Sequence, residues 1–256
     1  MFFVLRSAIN SYRLSFMTPK ENIEYPVRIN RYLLLKGYAS RRKADELIEG
    51  GHVKINGKTA VLGAKVQKGD KVTVSDTVKK LKKSYRYFAF NKPRGIVSHN
   101  PQGTEKSIED VSGLGTDVFP VGRLDKDSHG LILLTNDGRI VNKLLNKEFG
   151  HEREYVVRVD KNINSRFLKN MREGVDIEGY VTLPAKVSKV NDITFRIILT
   201  EGKRHQIRRM TMALGYQVQD LKRVRIMNVK LGNLKEGVYR ELKEKELSEF
   251  LKGVGV

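Results

Sequence analysis

The sequence predicts an α+β chain in two unequal parts. A small basic module of two helices and short strands comes first, then a larger body with a mostly antiparallel or mixed sheet and flanking helices. Three observations carry this. Beyond residue 85, runs of β-forming apolar residues outnumber helical stripes, and several adjoin with no helix between them. Positive charge is concentrated at the front: residues 1–90 hold 19 Lys/Arg against 7 Asp/Glu, whereas residues 91–256 hold 30 against 22. No Gly-x-Gly-x-x-Gly opens a helix after a strand, which removes the dinucleotide-binding folds.

The 256 residues give room for one medium domain and one small one, and the 39% hydrophobic content suffices for packed cores. A formal charge of +20 asks for a polyanionic partner. The chain has no cysteine, so disulfides, Cys-ligated metals and thiol catalysis are out. Its five histidines include no His-x-x-x-His pair, and no run of 18 apolar residues could span a membrane. The expectation is a cytoplasmic monomer with no metal, no cofactor and no membrane contact.

Residues 1–25 read as a disordered extension. Met1–Phe16 carries Arg6, Arg13, three serines and no acid, the composition of a transit peptide; Met17 as the true start, preceded by an upstream extension, is the favoured reading. Residues 26–75 form the small module. Ile29, Leu33 and Leu34 give one helical stripe stopped by Gly37; Ser40 can cap a second helix in which Ala44, Leu47 and Ile48 share a face. Val53 and Ile55 alternate with polar residues ahead of Asn56-Gly57, a strong hairpin signal, and Val72 and Val74 supply another strand. Arg41, Arg42 and Lys43 crowd the first turn of the second helix, against the macrodipole, a cost that bound phosphate would reverse. Residues 76–86, with five cations and the single acid Asp76, read as a basic linker.

The body spans residues 87–256. Tyr87–Phe90 is a strand ending at the loop signal Asn91-Lys92-Pro93-Arg94-Gly95, and Ile96–Ser98 resumes extended structure. Tyr155–Val159 and Ile193–Leu199 are further strands, and Ile140–Leu145, Ser165–Gly174 and His205–Leu214 fit helices. Between them lies the most informative stretch, Gly122-Arg-Leu-Asp-Lys-Asp-Ser-His-Gly130, running into Leu131–Leu134. An arginine and a carboxylate two residues apart, on a Gly-bracketed turn before a buried strand, suggest nucleophilic or acid/base chemistry on a polyanion. Asp127 reads as turn-forming, and Asp137-Gly138 as a second turn.

Arg28-Ile-Asn-Arg-Tyr-Leu, Ala39-Ser-Arg-Arg-Lys-Ala, Gly51-His-Val-Lys-Ile-Asn-Gly-Lys and Lys68-Gly-Asp-Lys-Val resemble an S4 domain, a module that holds structured RNA. The resemblance implies RNA contacts from Arg28, Arg41, Arg42, Lys43 and Lys54. Asn91–Gly95, Phe119–Gly138, His151–Tyr155, Glu201–Met210, Arg225–Val229 and Gly237–Leu242 are similar, in order, to the motifs of the RsuA family of pseudouridine synthases. The activity so implied breaks the N1–C1′ bond of a uridine in ribosomal RNA, most directly 23S, and rejoins the base through C5; a tRNA arm is a further candidate substrate. No redox step or group carrier enters.

The resemblance makes Asp125 the catalytic carboxylate, by covalent addition or by proton abstraction to a glycal, which residue types alone leave open. Arg208 becomes its counter-charge, and Tyr155 stacks on the target base. Arg123 fills the gap left by the flipped nucleotide, while Lys92 and Arg209 contact RNA. Ile207 packs on the uracil or, as an alternative, in the core. Ser128 stands where many members have Thr, and His205 where Asn-Arg is commoner. A non-catalytic S4-type RNA-binding or ribosome-assembly factor is the competing reading, and a metal-dependent nuclease lacks a convincing carboxylate/His cluster.

Overall fold

The computed structural model describes residues 23–39, 41–75, 84–115 and 117–256. The extension up to residue 22, the Ser40 cap and linker residues 76–83 lie outside them.

The S4-like module folds around two short helices, α1 (Ile29–Leu35) and α2 (Arg41–Glu49). Strand β1 (Val27–Arg28) pairs antiparallel with β4 (Lys65–Val66). A three-stranded sheet has β3 (Lys58–Thr59) and β5 (Val72–Val74) on either side of β2 (Val53–Ile55). Asn56 and Gly57 both take positive φ, 51° and 82°, as a two-residue hairpin turn that follows the strand twist requires. Ile29, Leu33, Ala44, Ile48, Val53, Val66 and Val74 close the core of the module.

The body is built on one nine-stranded sheet. Its strands are β6 (Tyr87–Lys92), β7 (Phe119–Val121), β8 (His129–Thr135), β9 (Arg153–Val159), β10 (Lys186–Asn191), β11 (Thr194–Leu199), β12 (Val218–Ile226), β13 (Val229–Lys230) and β14 (Tyr239–Glu241). The path runs β10-β11-β9-β12-β8-β6-β14, with β7 on β8 and β13 on β12. Among the described strands of this sheet, only β12 and β8 pair in parallel, and the other strand pairs are antiparallel. The mixed sheet is therefore as the sequence predicts.

Strand β8 lies buried on both faces, which is why its sequence is an unbroken apolar run rather than an alternation. Leu131 and Leu133 join Tyr87 and Ala89 in one core with α4 (Arg139–Leu145) and α7 (Glu244–Val254). Ile132 and Leu134 turn the other way, onto Phe88, Phe90 and Ile108. At the far side of the sheet, α5 (Ser165–Glu173) and α6 (Gln206–Ala213) bring Phe167, Met171, Ile207 and Met210 onto Val157, Phe195, Ile197 and Leu221.

Three local readings are corrected. Asn91 and Lys92 continue β6 instead of opening a loop, because both are held buried by the sheet's neighbours. Ile96–Ser98 is reduced to a single bridge, Val97 to Ser107. The short helix α3 (Ile108–Ser112) was not foreseen: Ser107 and Asp110 close a reciprocal capping box, a signal the sequence does contain.

Candidate active site

The β7–β8 connection, residues 122–128, is held by its backbone. Ser98 Oγ donates to the Leu124 carbonyl at 2.8 Å and accepts from the Leu124 N–H at 2.9 Å. The Gly95 N–H donates to the Lys126 carbonyl at 2.9 Å, and the Ser128 N–H closes a turn onto the Asp125 carbonyl at 3.0 Å. Beneath the loop three cations converge on carbonyls. Lys92 Nζ donates to Pro93 and Ser128, each at 2.8 Å, and to Lys126 at 3.4 Å. Arg208 Nη2 reaches the Asp127 carbonyl at 3.4 Å and Ser128 Oγ at 3.3 Å. Arg223 Nε donates to the Leu131 carbonyl at 2.6 Å, and its Nη1 reaches the Arg123 carbonyl at 3.5 Å.

These cations fix the loop and leave the Asp125 carboxylate unspent. Its side chain is 35% exposed, and its ion-pair partner among the described residues is His205, Nε2 to Oδ1 at 3.5 Å. Arg123 is exposed beside it. Register then brings in Tyr155: it stands opposite Arg223 on β12, which stands opposite Gly130 on β8, so the three occupy one row across β9, β12 and β8. Gly130, at φ 102°, has no alternative residue, since a Cβ there would lie 2.3 Å from the Arg223 carbonyl oxygen. Close by, Asp220 accepts from His129 at 2.9 Å and pairs with Arg94. Burial pushes the Asp220 carboxyl up, but His129 and Arg94 together hold it below its usual value.

Several expectations change. Lys92 is completely buried, so it is not an RNA contact; burial pushes its ammonium down to about 8, with Asp125 offsetting part of that. Arg208 grips the loop carbonyl and Ser128 instead of the Asp125 carboxylate, because its guanidinium also reaches back to the Val218 carbonyl at 3.5 Å. Arg209 donates to the Ile177 carbonyl at 2.7 Å and to Glu178 at 2.8 Å, with about a quarter of its side chain exposed. Ile207 is 4% exposed within the α5–α6 core, the second of its two readings.

The S4-side cations Arg28, Arg41, Lys43 and Lys54 are exposed, Lys43 in an ion pair with Glu46. Arg42 sits on α2, its side chain outside the described residues. Sequence reasoning missed the roles of Arg223 and Glu201. The buried Glu201 carboxylate accepts from Tyr180, the Leu183 N–H and Gln206, anchoring the turn that leads into α6. Among the described residues no three metal-ligating side chains come together.

The chain is similar to known proteins over most of its length. The RNA pseudouridylate synthase family model matches residues 86–213, and the S4 domain model matches residues 27–72. The dual-specificity RNA pseudouridine synthase RluF of Escherichia coli K12 is 45% identical over 228 residues, 88% of this chain and 79% of that protein. The ribosomal large subunit pseudouridine synthase B of Bacillus subtilis is 34% identical, covering 87% of this chain and 95% of its own length. A crystal structure of a pseudouridylate synthase superposes with a TM-score of 0.66 at 28% identity, covering 87% of this chain and 99% of that one. With a carboxylate loop wired through its carbonyls and an aromatic residue two strands away, the chain belongs to the RNA pseudouridylate synthase family, with an S4 domain in front of its catalytic body.

Proposed function

We propose that this synthase isomerises one uridine of ribosomal RNA, in the 23S molecule, to pseudouridine. The observation that carries the reading is Asp125: a carboxylate kept partly exposed on a loop anchored mostly through its backbone carbonyls. The S4 cations Arg28, Arg41, Lys43 and Lys54 neutralise stem phosphates, which holds the RNA without reading its sequence. A loop uridine leaves its stack, and the exposed Arg123 guanidinium enters the vacancy, offsetting part of the few kcal/mol that flipping costs. Asp125 then acts at the sugar while N1–C1′ breaks, the uracil turns within the site and C5 joins C1′; the C5 proton leaves and N1 takes up a proton, so the product is an isomer. Tyr155 gives the base a stacking face worth about 1–3 kcal/mol. The rearrangement is redox-neutral and intramolecular, so it requires no cofactor.

The chain acts as a cytoplasmic monomer in this scheme; among the described residues no helix is long and apolar enough to cross a membrane. A tRNA arm is the second substrate to test. Carbodiimide mapping of 23S, 16S and tRNA after incubation with wild-type and Asp125→Asn protein decides the matter. A wild-type-dependent mark in 23S RNA, absent with the variant, is expected. No mark in any RNA would overturn the activity and favour an S4-type binding factor, and a mark in 16S or tRNA alone would overturn the substrate.

A further inference from the structure

His205 is the motif residue that the catalytic scheme above does not use, and its geometry is unusual in three ways. It occupies the N-cap of α6 with φ 51°, a left-handed conformation uncommon outside glycine. Its side chain does not cap the helix, the ordinary task of that position. Instead, Nε2 lies 3.5 Å from Asp125 Oδ1.

The backbone on both sides explains how the strained residue is held. The buried Gln206 amide donates to the buried Glu201 carboxylate at 2.8 Å, and Gln206 Oε1 accepts from the Lys203 N–H at 2.9 Å. The His205 carbonyl accepts the first helical bond, from the Arg209 N–H at 2.9 Å. The imidazole is thus aimed from a fixed platform while staying 46% exposed. The cations beneath Asp125 cannot serve the carboxylate in the same way, because Lys92, Arg208 and Arg223 are committed to loop carbonyls and to Ser128 Oγ.

Building on the synthase reading, we infer that His205 is a positioning residue for Asp125: its Nε2–H donates to the carboxylate and sets the rotamer that meets the sugar. At 3.5 Å the pair is longer than a hydrogen bond in the RNA-free protein, and for this role it has to tighten when substrate excludes water.

Two measurements test this. In RNA-free protein, the His205 ring 15N resonances move on Asp125→Asn substitution; resonances that stay in place would overturn the contact, whatever reaction the enzyme performs. In single-turnover assays with a stem-loop RNA, His205→Ala lowers the rate at saturating enzyme about 10–100-fold, the scale of a misplaced reacting group. The half-saturating concentration changes less than about threefold. His205→Asn, which tolerates the left-handed backbone and keeps a donor, recovers part of that rate. A loss confined to half-saturation would make His205 an RNA contact and overturn the inference, as would an unchanged rate in His205→Ala. If wild-type protein makes no pseudouridine, the synthase reading fails on its own, and the resonance shift still decides the contact.

Discussion

Two aspartates bracket the same strand and have opposite lives. Asp137, two residues past the end of β8, is completely buried. Its Oδ1 accepts from the Arg139 N–H at 3.0 Å and from Nε at 2.8 Å; its Oδ2 accepts from Arg139 Nη2 at 2.9 Å and from the Tyr87 hydroxyl at 2.6 Å. The cluster pushes the Tyr87 hydroxyl and the Arg139 guanidinium above their usual ranges: burial first for Tyr87, the Asp137 hydrogen bonds first for Arg139. Asp125, four residues before β8, has one long contact and a third of its side chain in solvent. Spare hydrogen-bonding capacity separates them. The saturated carboxylate fastens structure, and the unsaturated one is the group that the proposed reaction assigns to substrate.

What Asp137 fastens is the junction of the two parts of the chain. Arg139 lies over the Tyr85 ring at 4.1 Å, and the Asn136 side chain bonds the Ser84 carbonyl and the Arg86 N–H, stapling the incoming chain. Gly138 faces α1 so closely that a Cβ there would lie 2.9 Å from Leu34 Cδ1. The sharpest test of the contrast exchanges the two acids for amides. Asp125→Asn should lower pseudouridine formation by at least about 10³-fold, since it removes a reacting group, while its denaturation midpoint stays at that of wild type. Asp137→Asn should cost about 3–5 kcal/mol of stability by leaving Arg139 uncompensated, with the rate per folded molecule little changed. Denaturant titration beside single-turnover kinetics reads both, and a destabilised Asp125→Asn or a dead but stable Asp137→Asn would erase the distinction.

Lys92 sharpens the comparison from the side of the loop. If its ammonium serves only the three carbonyls of Pro93, Lys126 and Ser128, Lys92→Met should slacken the loop that carries Asp125. The expected result is a rate about 10²-fold lower, with RNA affinity and its salt dependence unchanged. A phosphate contact would behave otherwise, weakening binding and lowering the slope of log K against log salt by about one. Filter binding at several salt concentrations separates the two.

Much of the fold was legible because its signals are local. Asn56-Gly57 demands its turn whatever surrounds it, and the Ile132-Leu133-Leu134 run announces a strand buried on both faces. Arg123 and Asp125 stood out on their Gly-bracketed turn, while Tyr155 came only through resemblance, and register then places Tyr155 in the row that ends at Gly130. Lys92 misled and Ile207 stayed between two readings because a side chain's charge or apolarity does not say which way it points. A lysine inside an apolar strand reads as a loop cation until the sheet around it is known. Arg223 gave no signal at all: in Val218–Ile226 it is one cation among three, and only parallel pairing with β8 sends it beneath the loop.

The smallest effect concerns the proton on Lys92. Burial pushes the folded-state value down to about 8 from 10.5, so between those values the unfolded chain binds more protons than the folded one. The free energy of unfolding therefore rises with pH across that window. Below about 8 the ammonium persists in both states and folding bears the cost of burying it; above, the folded protein releases the proton first and the cost is relieved. Relative to Lys92→Met, wild-type protein should gain about 1–2 kcal/mol between pH 7.5 and 9.5. Denaturant midpoints measured for both proteins over that range give the difference directly, and a flat or falling difference would mean that the loop carbonyls hold the ammonium as firmly as water does. In that case the cation beneath Asp125 would be as saturated as Asp137, and the strain of the site would have to be sought in the carboxylate alone.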